Sequence, residues 1–458
     1  MNINPQIFKS YDIRGVYPTD LNEETIKDIT KAIYTFFRKD KPQGELSVVV
    51  GHDMRLSSPR LFEVSVNTLR EMGAKVIDIG LVSTPTFYFA VFHYGYDCGF
   101  QITASHNPKE WNGMKIVKNT DKGLVKIGKT TGMEDIRNIV LSKSFIKPTG
   151  VGSIEKKTGI LDDEVTNSLK ISQNPTIKSF KIVADAANAM GAQYIEAIFQ
   201  HIPGNLVKMN FELDGSFPSH QPDPLQPENL VGLQKKVIDE KADLGLAPDG
   251  DGDRLFFIDE KGQTVPPTII TSMISTELLK NYPGETILVD IRYLLTPKKI
   301  IEENKGKMVI TKVGHAYITE AMYNTGGIFA GESSSHFFFR DTGNAESQMA
   351  TILAVLSILS KIGKPFSDAT EIYRRSFESG EFNFKVADSL KIMNELKEKY
   401  KDGMLNELDG IAISYSNWRF SVRPSNTEPL LRLNVEALEK PVMEQKRDEL
   451  VKLIKELS

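Results

Sequence analysis

The sequence predicts an α/β protein. Three similar α/β domains with mixed, largely parallel sheets are followed by a smaller α+β domain, and together they surround a central cleft. Two observations carry this reading. Short apolar runs alternate with helical stretches in one plan that recurs three times along the chain. In each pass a polar loop of unusual composition follows the third run, and ligands sit beyond the carboxyl ends of strands in open α/β sheets.

In the first pass Leu46–Val50 ends at Gly51-His52-Asp53. A helical stretch, the run Lys75–Ile79, another helix and the run Cys98–Ile102 then lead into a loop at Ser105. In the second pass Lys181–Ala184 ends at Asp185, Leu206–Phe211 follows, and Asp243–Leu246 enters an aspartate-rich loop. In the third, Thr286–Val289 ends at Asp290, Met308–Thr311 follows, and Gly327–Ala330 enters a loop at Glu332. The C-terminal part differs in kind. Ile411–Tyr415 and Trp418–Val422 read as strands, and Leu431, Leu433 and Val435 alternate with polar residues as a half-buried strand. Val442, Leu450, Leu453, Ile454 and Leu457 mark a closing amphipathic helix. Domains are expected at 1–150, 151–255, 256–370 and 371–458, with Glu378-Ser379-Gly380 in a stretch able to hinge.

The chain has 458 residues, 40% hydrophobic and 25% charged, with a net charge of −4. That is an ordinary globular composition, and no dense basic block points to nucleic acid. A single cysteine, Cys98, excludes a disulfide framework and a cysteine metal site. No apolar run reaches membrane-spanning length, and the N-terminus lacks a signal peptide's basic and apolar regions. A cytoplasmic monomer or weak dimer, without a nucleic-acid or membrane partner, is the expectation.

The most informative stretch is Ala247-Pro-Asp-Gly-Asp-Gly-Asp-Arg254. Asp249, Asp251 and Asp253 alternate, so an extended segment points all three carboxylates to one side. Gly250 and Gly252 allow it to curl. Three close negative charges need a cation among them, and a hard divalent ion with oxygen ligands suits the place. An EF-hand loop is a competing pattern, because Glu260 falls at its last ligand position. Arg254 stands where that loop wants glycine, and its flanks read as strands rather than helices.

Three further loops have different chemistry. Ile102-Thr-Ala-Ser105-His-Asn-Pro108 is followed by Asn112-Gly113, read as a turn, and then by Lys115. Ser105 lies in no hydrolase context. Carrying a phosphate, it would bring about −1.5 to −2 charges to the aspartates' cation. Lys115 is then a candidate point charge or general acid/base. Ala330-Gly-Glu-Ser-Ser-Ser-His336 offers Glu332, Ser334 and His336 for vicinal hydroxyls, as on a sugar. Arg423, Ser425, Asn426 and Thr427 make a nest for a phosphate dianion. Gly314-His315 lies just beyond a strand, with His315 a candidate acid/base. Arg14, in Tyr11-Asp-Ile-Arg-Gly15, is placed to touch phosphate, while His220 in a proline-rich connection reads as structural.

With these residues in order, the chain resembles the α-D-phosphohexomutases, in particular the bacterial phosphomannomutase/phosphoglucomutase group. The resemblance runs from Tyr11-Asp-Ile-Arg-Gly15 to Arg423-Pro-Ser-Asn-Thr-Glu-Pro429, nearly the whole chain. The pair Thr103-Ala-Ser-His-Asn-Pro108 and Asp249-Gly-Asp-Gly-Asp-Arg254 is highly specific. The resemblance implies four domains around a cleft, Ser105 as phosphoserine, and magnesium on Ser105, Asp249, Asp251 and Asp253. Glu332 and Ser334 would hold sugar hydroxyls, and the 423–427 loop would hold the substrate phosphate. Lys115, His315 and Arg14 would assist transfer. Tyr11, Arg254, Gly314 and His336 complete the expected substrate contacts. The implied reaction interconverts hexose 6- and 1-phosphates of mannose or glucose, through the phosphoserine and a 1,6-bisphosphate that turns over in the cleft.

There are departures. Ser335 stands where the family commonly has glycine, so the backbone there is expected to differ. Arg292 stands where the mannose and glucose enzymes often place lysine. Asn426 resembles the mannose/glucose form of the phosphate loop, where glucosamine enzymes more often show glycine. Phosphoglucosamine mutase, a magnesium-dependent sugar phosphatase and a non-catalytic phosphosugar-binding regulator are the alternatives. Ser105, the three aspartates and Lys115 together argue against the last.

Overall fold

The computed structural model describes residues 3–424 and 430–458. They form two compact units, Met1–Val265 with Ser334–Ser367, and Pro266–Ser333 with Asp368–Ser458.

The first unit opens with β1 (Ile13–Val16), α1 (Glu23–Asp40), β2 (Ser47–His52), α2 (Ser58–Met72), β3 (Lys75–Leu81) and α3 (Thr84–His93). It continues with β4 (Cys98–Ile102), β5 (Trp111–Thr120), β6 (Gly123–Lys126), α4 (Met133–Ser142) and β7 (Ser153–Lys156). The sheet order is β1-β5-β4-β2-β3-β7, with β6 on β5. Strand β2 runs parallel to β3 and β4, and β5 runs antiparallel to β1, β4 and β6. Val48, Val49 and Val50 are wholly buried, as expected of a central strand covered on both faces. Helix α1 starts at a capping box formed by Asn22 and Thr25, and α2 stops at Gly73, whose φ of +96° suits glycine.

The same unit continues through α5 (Ile160–Ile171), β8 (Phe180–Asp185), α6 (Gly191–Phe199), β9 (Gly204–Met209) and α7 (Val231–Asp239). Strands β10 (Leu244–Pro248), β11 (Leu255–Asp259) and β12 (Thr264–Val265) follow, giving the order β12-β11-β10-β8-β9.

The second unit begins with α8 (Pro267–Asn281), β13 (Thr286–Asp290), α9 (Leu295–Glu303), β14 (Lys307–Thr311), α10 (His315–Thr325) and β15 (Phe329–Gly331). Strand β13 is parallel to both β14 and β15. The chain then returns to the first unit with the antiparallel pair β16 (Phe337–Phe339) and β17 (Ala345–Glu346), and with α11 (Gln348–Ile362). Helix α11 packs on α5 and α6. After α12 (Phe366–Tyr373) come β18 (Phe377–Lys385), α13 (Ser389–Lys399), β19 (Met404–Asn406), β20 (Ile411–Ser414), β21 (Trp418–Pro424), β22 (Leu430–Ala437) and α14 (Lys440–Leu457). Their sheet is antiparallel throughout, in the order β18-β22-β21-β20-β19. Leu431, Leu433 and Val435 share one core with Leu450 and Ile454 of α14.

The repeated plan is therefore a repeated sheet. In each pass the first strand lies between the second and the third, as β4-β2-β3, β10-β8-β9 and β15-β13-β14. Two local expectations fail. Asn112-Gly113 is not a turn but the start of β5, and a Cβ on Gly113 would lie 2.0 Å from the Ile13 carbonyl oxygen. Glycine is there for close strand approach. Glu378-Ser379-Gly380 is not a free connector but part of β18, which is irregular between Glu378 and Glu381. Gly380 supplies a φ of +75° at that irregularity. Among the described residues no single helix is long and apolar enough to cross a membrane.

Candidate active site

The first group of candidate residues lies in the first unit, where β4 ends. Ser105 is 1% exposed and has a φ of +52°, a left-handed conformation rare for serine. Its N–H donates to Thr103 Oγ1 at 3.0 Å. Arg55, just after β2 and wholly buried, holds the loop from below. Its Nη1 donates to the Pro108 and Trp111 carbonyls at 2.7 and 3.0 Å. Its Nη2 donates to those of Ser105 and Asn107, each at 2.7 Å. One guanidinium thus serves four carbonyls of this loop, of which that of Pro108 also accepts the Trp111 N–H at 3.0 Å. Asp53, 3.2 Å away, balances its charge. Sequence reasoning missed Arg55. An arginine two positions past a strand-end aspartate belongs to no motif, and its function depends on a loop about 50 residues on.

The aspartate loop joins β10 to β11. Asp249, Asp251 and Asp253 are fully buried, and their ligand atoms lie within 4.8 Å of one another. Asp249 Oδ1 accepts the N–H groups of Gly252 and Arg254, each at 3.1 Å, which curls the loop. Its Oδ2 accepts the Ser105 hydroxyl at 2.9 Å. Asp251 Oδ2 accepts the Thr84 hydroxyl at 2.6 Å. Gly250 is required by the approach to the serine loop, since a Cβ there would lie 2.3 Å from the Ser105 carbonyl oxygen. Lys115, on β5, puts its Nζ 2.6 Å from Asp251 and also pairs with Asp253. Burial alone would lower the lysine's pKa, but the three aspartates outweigh it and hold the ammonium charged. Burial, Asp251 and Asp253 push the Asp249 carboxyl up.

This donor set fits a divalent cation. It consists of hard oxygens, and Asp251 Oδ1 is buried with no hydrogen-bond partner among the described residues. The EF-hand reading fails. The flanks β10 and β11 are paired antiparallel strands, and Glu260 accepts the Ser367 N–H at 3.0 Å.

Around this centre Arg14 donates to Asp12 at 2.8 Å, to the Ala104 carbonyl at 3.4 Å and to Asn107. Tyr11 precedes β1 and is partly buried. His336 Nε2 lies 3.2 Å from Asp253 and 3.4 Å from Arg254 Nε, and its Nδ1 lies 3.1 Å from the Ser334 hydroxyl. His106 Nδ1 lies 3.1 Å from the Ser105 hydroxyl. Burial and the nearby cations keep that imidazole neutral. His220, read as structural, is 3.1 Å from Asp185. Ser335 has a φ of +67°. The backbone expected to differ there in fact takes the left-handed conformation that glycine favours.

The second group lies in the second unit. Gly314 caps α10 with a φ of +127°, and its N–H donates to Glu332 at 2.9 Å. His315 is the helix's first residue and is buried. Arg292 donates to Asp290 at 2.9 Å and to Glu332 at 3.3 Å. Burial would lower its pKa, but Asp290, Glu332 and Glu381 raise it above the ordinary arginine value. Arg423 donates to Glu381 at 3.4 Å. Ser425, Asn426 and Thr427 lie outside the described residues.

Three α/β modules of one strand order, an antiparallel C-terminal sheet and a buried serine set on a triple-aspartate loop define the class of phosphosugar mutases. Family models agree domain by domain. Those for phosphoglucomutase/phosphomannomutase α/β/α domains I, II and III match residues 5–146, 163–262 and 266–376, and that for the C-terminal domain matches 381–453. The chain is 36% identical to a phosphomannomutase of Vibrio cholerae over 461 residues, covering 98% of each. A phosphomannomutase of Methanocaldococcus jannaschii is also 36% identical, again with 98% of each covered. A phosphoglucomutase/phosphomannomutase family protein of Burkholderia thailandensis superposes with a TM-score of 0.87 at 29% identity, covering 99% of this chain and 98% of that one. The chain belongs to the phosphoglucomutase/phosphomannomutase family.

Proposed function

We propose that this mutase interconverts the 1- and 6-phosphates of mannose and glucose through a phosphorylated Ser105 and a hexose 1,6-bisphosphate. The observation that carries this is the Ser105 hydroxyl 2.9 Å from Asp249, within one buried cluster that also holds Asp251, Asp253 and Lys115. Magnesium held by Asp249, Asp251 and Asp253 would neutralise charge on the phosphoryl oxygens.

Ser105, once phosphorylated, gives its phosphoryl group to a sugar hydroxyl. The bond from phosphorus to Ser105 Oγ breaks as the sugar oxygen bonds to phosphorus. The hydroxyl's proton goes to a base, for which His315 is the candidate, and Ser105 Oγ takes a proton from an acid. Lys115 suits that acid role because its neighbours keep it protonated. The bisphosphate then presents its other phosphate, which returns to Ser105. Arg14 and Arg254 supply charge beside the transferring group, and Tyr11 contacts substrate with them. Glu332, Ser334, His336 and Gly314 hold sugar hydroxyls, and Arg423 with Ser425, Asn426 and Thr427 holds the distal phosphate.

The test is turnover of mannose 1-phosphate and glucose 1-phosphate, primed with the bisphosphate. Sugar 6-phosphate and inorganic phosphate are measured side by side. Ser105→Ala is expected to lose at least about a thousandfold in rate, and to lack a phosphate adduct that mass spectrometry should find on the wild type. Chelation by EDTA is expected to stop turnover. Undiminished activity in the alanine variant, or phosphate as the main product, refutes the reading.

A further inference from the structure

Glu164, on α5, is a buried carboxylate with no evident catalytic partner. It is 3% exposed, and among the described residues its carboxylate takes one hydrogen bond, from the Thr86 hydroxyl at 2.6 Å. The bond leads somewhere. Thr86 Oγ1 lies 2.8 Å from Ser83 Oγ, and Ser83 caps α3 by accepting the Thr86 N–H at 3.2 Å. The next residue, Thr84, holds the metal loop twice. Its N–H donates to the Asp251 carbonyl at 2.9 Å, and its hydroxyl donates to the Asp251 carboxylate at 2.6 Å. A second path runs through α6. The Tyr194 ring packs on Gly252, where a Cβ would lie 2.9 Å from it. The Tyr194 hydroxyl is buried without a partner among the described residues.

We propose that Glu164 is a positioning residue for Asp251, acting through the Thr86–Ser83 hydroxyl chain and the first turn of α3. An ionised Glu164 can only accept. Thr86 must then donate to it, Ser83 donates to Thr86, and the Ser83 oxygen stays free to cap α3. A protonated Glu164 can donate to Thr86 and reverse the chain. The Thr86 hydroxyl then joins its own N–H on the Ser83 oxygen, the Ser83 hydroxyl loses its acceptor and must turn away, and the turn that grips Asp251 loosens. Three helices pack on α5, and they carry Tyr88 and His93 on α3, Tyr194 and Glu196 on α6, and Lys361 on α11. None of these sets the Glu164 protonation. Burial pushes its carboxyl up to about 7, against the Thr86 hydrogen bond. The switch therefore falls near neutral pH.

The proposal rests on reading the aspartate loop as a divalent-cation site. It is tested by calorimetric titration of full-length protein with magnesium chloride at pH 6, 7 and 8. Wild type, Glu164→Gln, Thr86→Val, Thr86→Ser and the Gln/Val double variant are compared, with melting temperature as the fold control. At pH 8, Glu164→Gln and Thr86→Val are each expected to bind magnesium about three- to tenfold more weakly than wild type, the scale of one hydrogen bond. Thr86→Ser should restore wild-type affinity, and the double variant should be no weaker than either single one. The gap between wild type and Glu164→Gln should close at pH 6. Glu164→Gln binding as wild type at all three pH values overturns the proposal, as do fully additive losses in the double variant. A wild type that binds neither magnesium nor manganese overturns the cation reading itself, and the proposal with it.

Discussion

Ser105 and Ser335 both hold backbone conformations that serine rarely takes, with φ of +52° and +67°. At Ser335 the chain uses serine where the conformation asks for glycine. Ser335→Gly is expected to stabilise the fold by about 0.5–1 kcal/mol in chemical denaturation, because a left-handed side-chain penalty disappears. Gly250 is the opposite case. A Cβ there meets the Ser105 carbonyl oxygen at 2.3 Å and the Pro222 ring at 3.1 Å, and neither neighbour can yield cheaply. Gly250→Ala should cost about 1–3 kcal/mol and most of the turnover, since the two loops must part. Gly44→Ala, at a φ of +77° but with nothing within 4 Å, is the control. It should cost about 1 kcal/mol and leave turnover intact. The carboxylate and serine chemistry was legible because spacing alone announces it. Arg55 was not, because its meaning lies in four carbonyls that only the fold brings to it.

Strands β2, β3 and β4, and their counterparts in the other two passes, could be read from short apolar runs. Strand β5 could not, because Asn112-Gly113 looks like a turn until the neighbouring β1 is known to need that glycine. Strand β18 hid for a related reason, since its irregularity puts Gly380 where a break would be drawn. The same strand carries Glu378, half-buried and bonded by the Thr268 hydroxyl. Burial raises its carboxyl to about 8. The folded state therefore keeps a proton that the unfolded chain releases near its ordinary value of about 4.5. The sign follows. Stability is greatest below about pH 4.5 as far as this group is concerned, falls as pH rises toward 8, and is flat above. Glu378→Gln should remove that fall. Denaturation at pH 8.5 should show the variant more stable than wild type, by at most on the order of 5 kcal/mol, with little difference at pH 5. A variant less stable at both pH values would show that the charged form is the one the strand needs.

Across the whole chain, three modules of one strand order were legible because each repeats the same run-loop rhythm. The division into two units was not, since nothing in residues 334–367 marks them as returning to the first unit. Specificity also belongs to this scale, because the sugar contacts come from separate stretches. Glu332 and Ser334, holding the 3- and 4-hydroxyls, would meet groups that mannose and glucose share. The two 1-phosphates should then have kcat/KM values within about tenfold, or about 1.4 kcal/mol. Galactose 1-phosphate, inverted at C4, should be much poorer. Equal rates on galactose and glucose 1-phosphates would remove the sugar assignment from this loop.

The return of residues 334–367 to the first unit also governs the order in which the protein can be made. Lys126, buried between the Tyr88 and Phe338 rings, has its carboxylate partner Glu346 220 residues later. A ribosome adding about 5–20 residues per second leaves that ammonium without its counter-ion for roughly 10–45 seconds. The faces of α5 and α6 that α11 covers also stay open until α11 has been made. The nascent first unit thus lacks residues 334–367 while the whole 266–333 segment is still being translated. Ser105 is synthesised long before its surroundings can close.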